Sequence, residues 1–261
     1  MSNKAKLIDL SKCTGCRGCQ LACKQWNANP AKQTTNRGTY QNPPDLQPNT
    51  WTLIRFQEIS DGNGGVKWLF RKDGCMHCTD AACVEVCPAD ALYHTKFGTV
   101  GVRRENCIGC GACVDACPFG IPKLDEELEK AFKCDMCMTR LENNLLPACV
   151  KACPTGALQF GDQADMLKKA YKRVKELGGD ASVYGDKFVD GTHVIYVLTE
   201  KVDVYDELPV KPEKQATLWK NLFKPFGLLA AGGLIGPSFL RYITREPKSD
   251  DEGTEISRME D

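Results

Sequence analysis

CIGCGACVDACPFGIPK, residues 107–123, carries four cysteines at the spacing C-x2-C-x2-C-x3-C, with a proline directly after the last. Thiols three residues apart suit neighbouring ligands on one metal centre better than cross-links between distant segments. Three of them on a tight, wrapped loop can reach one centre, with loop N–H groups turned towards the sulfurs. The fourth turns away towards a neighbouring centre. Pro118 removes a backbone donor and helps a helix begin.

Working outward, the pattern repeats. The chain has 261 residues and sixteen cysteines, and these fall into four groups: Cys13, Cys16, Cys19, Cys23; Cys75, Cys78, Cys83, Cys87; Cys107, Cys110, Cys113, Cys117; and Cys134, Cys137, Cys149, Cys153. Each ends in C-x3-C, and CPADAL, CPFGI and CPTGAL follow Cys87, Cys117 and Cys153, so the chain is built on an internal repeat. The first and third groups have the ferredoxin spacing for [4Fe–4S] clusters, in which the fourth cysteine binds the other cluster of a pair. Gly15, Gly18, Gly109 and Gly111 let the backbone approach the group it encloses.

Two other uses of cysteine fit less well. A disulfide scaffold is typically short and secreted, whereas the opening MSNKAKLIDLSKC has no apolar core of a signal peptide. Zinc prefers paired CxxC motifs; Cys134–Cys137 with Cys149–Cys153 could be read that way, but the C-x2-C-x2-C triples fit zinc poorly. Lysines and arginines balance the acids, for a formal charge of zero, but cysteines filled as thiolates on four clusters would bring the chain to about −8. Such charge calls for nearby cations or N–H donors. Lys12, Arg17 and Lys24 flank the first run and are candidates, or else ordinary surface cations.

The remaining sequence supplies a frame. NANPAKQTTNRGTYQNPPDLQPN reads as a loop. WTLIRFQEI and VKWLFRK, separated by SDGNGG, read as a β-hairpin. The acidic run Asp125–Glu129 reads as a solvated helix face. DQADMLKKAYKRVKELGG reads as an amphipathic helix with Asp162 as N-cap, THVIYVLTE as a strand and 201–217 as a linker. Residues 225–240 form an uncharged stretch between Lys224 and Arg241, short of the roughly 20 residues that a spanning helix uses. The acidic tail reads as disordered. Of the histidines His77, His94 and His193, only His77, inside CMHC, lies among the cysteines, and it reads as a packing or hydrogen-bonding residue. No Ser/His/Asp set, phosphate loop or GxGxxG motif points to catalysis or nucleotide binding.

KLIDLSKCTGCRGCQLACKQWN, CMHCTDAACVEVCP, CIGCGACVDACPFGIPK and FKCDMCMTRLENNLLPACVKACPTGAL together resemble the four-cluster electron-transfer subunits of molybdopterin oxidoreductases, across roughly residues 5–160. CRGCQLACKQWN with NRGTYQNPPDL is similar to formate dehydrogenase beta subunits in particular, and WKNLFKPFG…RYI to their membrane anchor. The resemblance implies an α+β fold of two bacterial-ferredoxin-like two-cluster modules, with a hairpin insertion and a C-terminal single helix. Module A takes residues 1–24 plus 130–160, module B 70–129, and the loop and hairpin 25–69. A helix/strand extension and linker (161–217), an anchor helix (218–245) and an acidic tail (246–261) complete the chain.

The resemblance also implies four ligand sets: Cys13, Cys16, Cys19 and Cys153; Cys23, Cys134, Cys137 and Cys149; Cys75, Cys78, Cys83 and Cys117; Cys87, Cys107, Cys110 and Cys113. Lys24 stands where the other groups have proline. The implied role is non-catalytic: relaying electrons from a Mo- or W-molybdopterin catalytic subunit to a membrane cytochrome b or quinone-linked subunit. The complex would sit at the outer face of the cell membrane, exported on the partner's signal, with no nucleic-acid partner. The same wiring in a dimethyl sulfoxide, polysulfide, thiosulfate or nitrate-type reductase or a hydrogenase, or a stand-alone polyferredoxin, is the alternative.

Overall fold

A computed structural model describes residues 3–211; the anchor and tail expected from residue 218 onward lie outside the described residues. The chain opens on strand β1 (Lys4–Asp9), and the first cysteine run winds into helix α1 (Gly18–Trp26). The polar stretch runs as irregular chain up to β2 (Thr52–Ser60), which pairs antiparallel with β3 (Val66–Gly74) from Thr52–Gly74 to Ser60–Val66. Then come α2 (Ala82–Glu85), the short ribbon β4 (Leu92–His94) and β5 (Val100–Val102), α3 (Ala112–Asp115), and a second ribbon, β6 (Lys123–Asp125) and β7 (Lys130–Phe132). Helices α4 (Met138–Glu142) and α5 (Ala148–Lys151) carry the last cysteine group. Strand β8 (Leu158–Asp162), helix α6 (Gln163–Leu177) and strands β9 (Ser182–Tyr184) and β10 (Val194–Leu198) follow.

The mixture of short helices and small sheets is α+β. Its frame is a four-stranded sheet in the order β8-β1-β10-β9, with β1 parallel to β10 and antiparallel to β8. Because side chains alternate across a strand, β1 serves two cores. Ala5 and Leu7, with Ile195 and Val197 of β10, pack under Met166 and Ala170 of α6. Ile8, Val194, Tyr196 and Leu198 face the other way, into the core that also holds Cys19, Cys149 and Met136. Lys6 lies on that same cysteine-facing side: it is 1 % exposed, with Nζ 3.9 Å from Met136 Sδ.

Helix α6 begins after Asp162, whose carboxylate reaches across to Lys4 at 2.9 Å, and stops at Gly178 with φ +66. Two expectations change. The run Asp125–Glu129 is not a helix face but the turn between β6 and β7. Asp125 Oδ1 accepts the N–H groups of Glu127 and Leu128 at 3.2 and 3.0 Å, the local bond that makes aspartate a turn residue. The first part of the expected linker is a strap packed on the body. Tyr205 and Leu208 are buried, and the Tyr205 hydroxyl accepts the Thr199 N–H at 3.0 Å. Two apolar anchors outweigh the proline and charge that suggest a linker.

If the strap is integral, Tyr205→Ala should destabilise the filled protein by about 3–5 kcal/mol, read by urea unfolding, and should open residues near 205 to limited proteolysis. A loose linker would show neither change.

Candidate metal centres

All sixteen cysteines are free in the structure. Each of the four loops is wound by left-handed residues: Gly15 and Arg17 (φ +67 and +57), His77 (+50), Gly109 and Gly111 (+71 and +74), and Met136 and Cys137 (+62 and +55). Such turns aim successive N–H groups inward and make an anion-binding concavity. At Gly109 a side chain is excluded outright, since an added Cβ would lie 2.6 Å from the Glu129 carbonyl oxygen. Backbone donors reach the sulfurs: Met136 N–H to Cys134 Sγ and Ala131 N–H to Cys107 Sγ, both at 3.4 Å.

The C-x3-C step has a helical meaning. Cys19, Cys83, Cys113 and Cys149 each lie in a helix, α1, α2, α3 or α5, and the last cysteine of each run comes four residues later, still within α1 for Cys23 and two residues past the helix end for Cys87, Cys117 and Cys153. Helix α1 packs on α5, and α2 on α3. Each run's last thiol is thereby carried to another run. Cys13 neighbours Cys16 and Cys153, and these line one pocket with Cys19 and Lys72. Cys23 neighbours Cys134 and Cys149, as Cys137 does. Cys78 sits among Cys75, Cys117 and Cys83. Cys87, Cys107, Cys110 and Cys113 line another pocket. The gatherings also adjoin in pairs, Cys19 beside Cys149 and Cys83 beside Cys113.

Of the cations in the first run, Arg17 lines the pocket of Cys13, Cys16, Cys19 and Cys153 and Lys24 lies by Cys23, but the bonds all three make lead elsewhere. Lys12 lies 3.7 Å from Asp9, Arg17 stacks over Phe56 and bonds the Tyr40 carbonyl, and Lys24 bonds the carbonyls of Pro30 and Asn49. Lys6, Lys72 and Lys133, at 1, 3 and 3 % exposure, occupy the interior instead. Lys6 Nζ stands 3.9 Å from Cys149 Sγ, and Lys133 Nζ bonds the carbonyls of Val100 and Cys134 at 2.7 and 3.0 Å. Burial pushes the Cys19 thiol up to about 12 against the pull of Lys72. The Cys83 thiol is likewise pushed up to about 12 by burial, with Lys133 opposing. Burial opposes the charge on Lys6, yet the surrounding Cys149 and Cys134 thiolates outweigh it and raise its pKa. Sequence reasoning missed these lysines. Alternation along β1 and β3 was the signal that could have found Lys6 and Lys72, had either strand been read as buried on both faces.

The donor set fits iron–sulfur clusters: clustered thiols, inward N–H groups and interior cations all serve a buried, sulfur-rich anion. His77 fits as well. It is fully buried, and burial, reinforced by Lys133 and Lys6, holds its pKa well below the usual range, so the ring is neutral. Its Nδ1 accepts the Val100 N–H at 3.1 Å, which puts the proton on Nε2, and Nε2 has no protein acceptor among the described residues. His193 bonds the Lys4 carbonyl at 2.7 Å, and His94 is exposed. Among the described residues, the one carboxylate trio close enough to share a cation, Asp45, Asp73 and Glu207, already surrounds the Arg55 guanidinium at 2.6, 2.8 and 2.6 Å.

Comparison with known proteins agrees with this chemistry. Two family models, each described as a 4Fe-4S dicluster domain, match residues 66–163 and 12–91. The chain is 42% identical over 257 residues to the formate dehydrogenase-O iron-sulfur subunit of Escherichia coli, covering 95% of this chain and 85% of that one. It is 45% identical over 240 residues to the nitrate-inducible formate dehydrogenase iron-sulfur subunit of the same organism, covering 88% and 80%. With the formate dehydrogenase 2 subunit beta (cytochrome c-553) of Nitratidesulfovibrio vulgaris it shares 40% identity over 216 residues, 78% of this chain and 97% of that one.

His77→Phe keeps the ring but strands the Val100 N–H, and should cost about 1–3 kcal/mol in denaturant unfolding. His77→Asn, with an acceptor oxygen at the branch position of Nδ1, should recover part of that loss. Equal losses in the two variants would show that packing alone matters.

Proposed function

The chain belongs to the formate dehydrogenase iron–sulfur subunits and is an electron-transfer rather than a catalytic subunit with four [4Fe–4S] clusters, and we propose that its cysteines hold those clusters as two interlocked pairs. Cys13, Cys16, Cys19 and Cys153 hold the first, and Cys23, Cys134, Cys137 and Cys149 the second. Cys75, Cys78, Cys83 and Cys117 hold the third, and Cys87, Cys107, Cys110 and Cys113 the fourth. The observation that carries this is that the last thiol of each run stands among the thiols of another run. The packing of α1 on α5 and α2 on α3 supports a module A of 1–24 with 130–160 and a module B of 70–129.

Each cluster, once held, supplies a site for one electron. The chain's residues do the rest. Helices α1 and α5 bring the first two sets against each other, and α2 and α3 the last two. Between the modules, Lys133 lies by Cys75 and Cys83 of the third set and Cys134 of the second, so the sets follow one another from first to fourth. Cys16 and Cys110 are the exposed cysteines, one in each terminal set. These are the ends at which partners exchange electrons with the wire. The partners are a molybdopterin catalytic subunit, which oxidises formate, and a membrane cytochrome b or quinone-linked subunit. The complex sits at the outer face of the membrane, with residues 218–245 as the anchor.

Cys153→Ser and Cys149→Ser lie in the same short segment but should damage different clusters. The first should alter the spectrum of the Cys13 set and the second that of the Cys137 set, each losing about four iron or converting one signal in electron paramagnetic resonance. Identical spectral losses would break the interlocked assignment. In the purified complex formate should reduce the clusters without a mediator, and washed membranes should release the subunit with detergent but not with salt.

A further inference from the structure

We propose that Lys6, Lys72 and Lys133 act on the cluster held by Cys23, Cys134, Cys137 and Cys149 as potential-setting residues, and make it the first of the four to be reduced. The inference rests on the ligand sets proposed above. The lysines come from separate parts of the chain: Lys6 from β1, Lys72 from β3, and Lys133 from the residue after β7. All of them are buried to 3 % exposure or less, so water screens their charge poorly. Among the described residues none forms an ion pair with a carboxylate, which is unusual for buried ammonium groups.

What they face is sulfur. Lys6 Nζ is 3.9 Å from Cys149 Sγ. Lys133 Nζ is fixed by the carbonyls of Val100 and of Cys134 itself. Lys72 acts on Cys23 and Cys134, and on Cys19 of the adjoining first set, whose pocket it lines. Half-buried Asp135 acts on Lys133 and Cys134, and its Oδ1 accepts the Cys137 N–H at 2.8 Å. Positive charge therefore exceeds negative around this set. The first set shares Lys72 and has only the half-buried Arg17 besides, and the third shares Lys133. Around Cys113 of the fourth set the neighbouring charges are its own thiols, Cys107, Cys87 and Cys110. Lys130, at the Cys107 carbonyl, is only half-buried.

Reduction adds one negative charge to a cluster. Fixed, unscreened cations lower the energy of that state, most for the cluster that faces most of them. The second position would then act as a well in which an electron waits between the modules.

The test is a redox titration of the intact complex followed by electron paramagnetic resonance, with the second cluster's signal identified by its change in Cys137→Ser. In the wild type that signal should appear first as potential is lowered. Lys6→Met, close in size but neutral, should make its reduction at least tenfold less favourable, about 59 mV for one electron, and leave the fourth cluster unmoved. Lys133→Met should lower the second and third together, with Lys133→Arg near wild type. Should Lys133→Met lose iron, Lys6→Met and Lys72→Met carry the same test from other strands. The proposal is overturned if the Cys137-dependent signal is not the first to appear, or if iron-replete Lys6→Met and Lys72→Met leave its potential unchanged. If Cys137→Ser alters a signal that Cys153→Ser alters equally, it is the ligand assignment that fails instead.

Discussion

Sixteen thiols must be kept inside a small protein while carrying negative charge, and most of the architecture answers that constraint. A buried thiolate without compensation is costly, and here compensation comes in layers. Left-handed turns aim backbone N–H groups at the sulfurs, and interior lysines stand between the thiol groups. Short helices that pack in pairs, α1 on α5 and α2 on α3, tie each group to its neighbour. The larger apolar core lies on the cysteine-facing side of the sheet β8-β1-β10-β9, with a smaller one between the sheet and α6. In that sense the sheet is a back wall. Its alternating side chains hold α6 on one side and present Lys6, Ile8 and Tyr196 to the cysteine core on the other.

The same constraint explains why the chain has no use for a catalytic constellation. Its titratable interior groups are committed to charge balance and position. His77 accepts a backbone N–H, Arg55 holds Asp45, Asp73 and Glu207 together, and Arg71 and Tyr196 bond backbone carbonyls. A wire needs its centres close, insulated and fixed. Two helix pairs supply closeness, and the hairpin β2–β3 closes over the first pocket through Ile54 and Lys72.

Much of this was legible from cysteine spacing, because a ligand pattern is set by local geometry. C-x2-C-x2-C-x3-C requires a wrapped loop followed by a helical turn, and both are present at Cys107–Cys117. Gly109 and Gly111 signalled left-handed backbone, whereas Arg17, His77, Met136 and Cys137 adopt it without any such mark. The hairpin and α6 followed from periodicity and turn residues. The central sheet did not, since β1 and β10 are far apart in sequence and meet only in the tertiary fold. Asp125–Glu129 misled because an acidic run looks alike on a helix and in a turn. Arg17 and Lys24 do stand by cysteines of the first run and its neighbour, while the interior lysines went unread because they lay in segments whose charge suggested solvent.

The account stands on the number and kind of centres in one chain. Combined iron, acid-labile sulfide and zinc analysis of the anaerobically purified subunit in its complex measures this most directly. Four cubane clusters require about sixteen iron and about sixteen sulfide per chain, with no zinc. A total near twelve iron, or zinc in stoichiometric amount at the Cys134–Cys153 group, would contradict it.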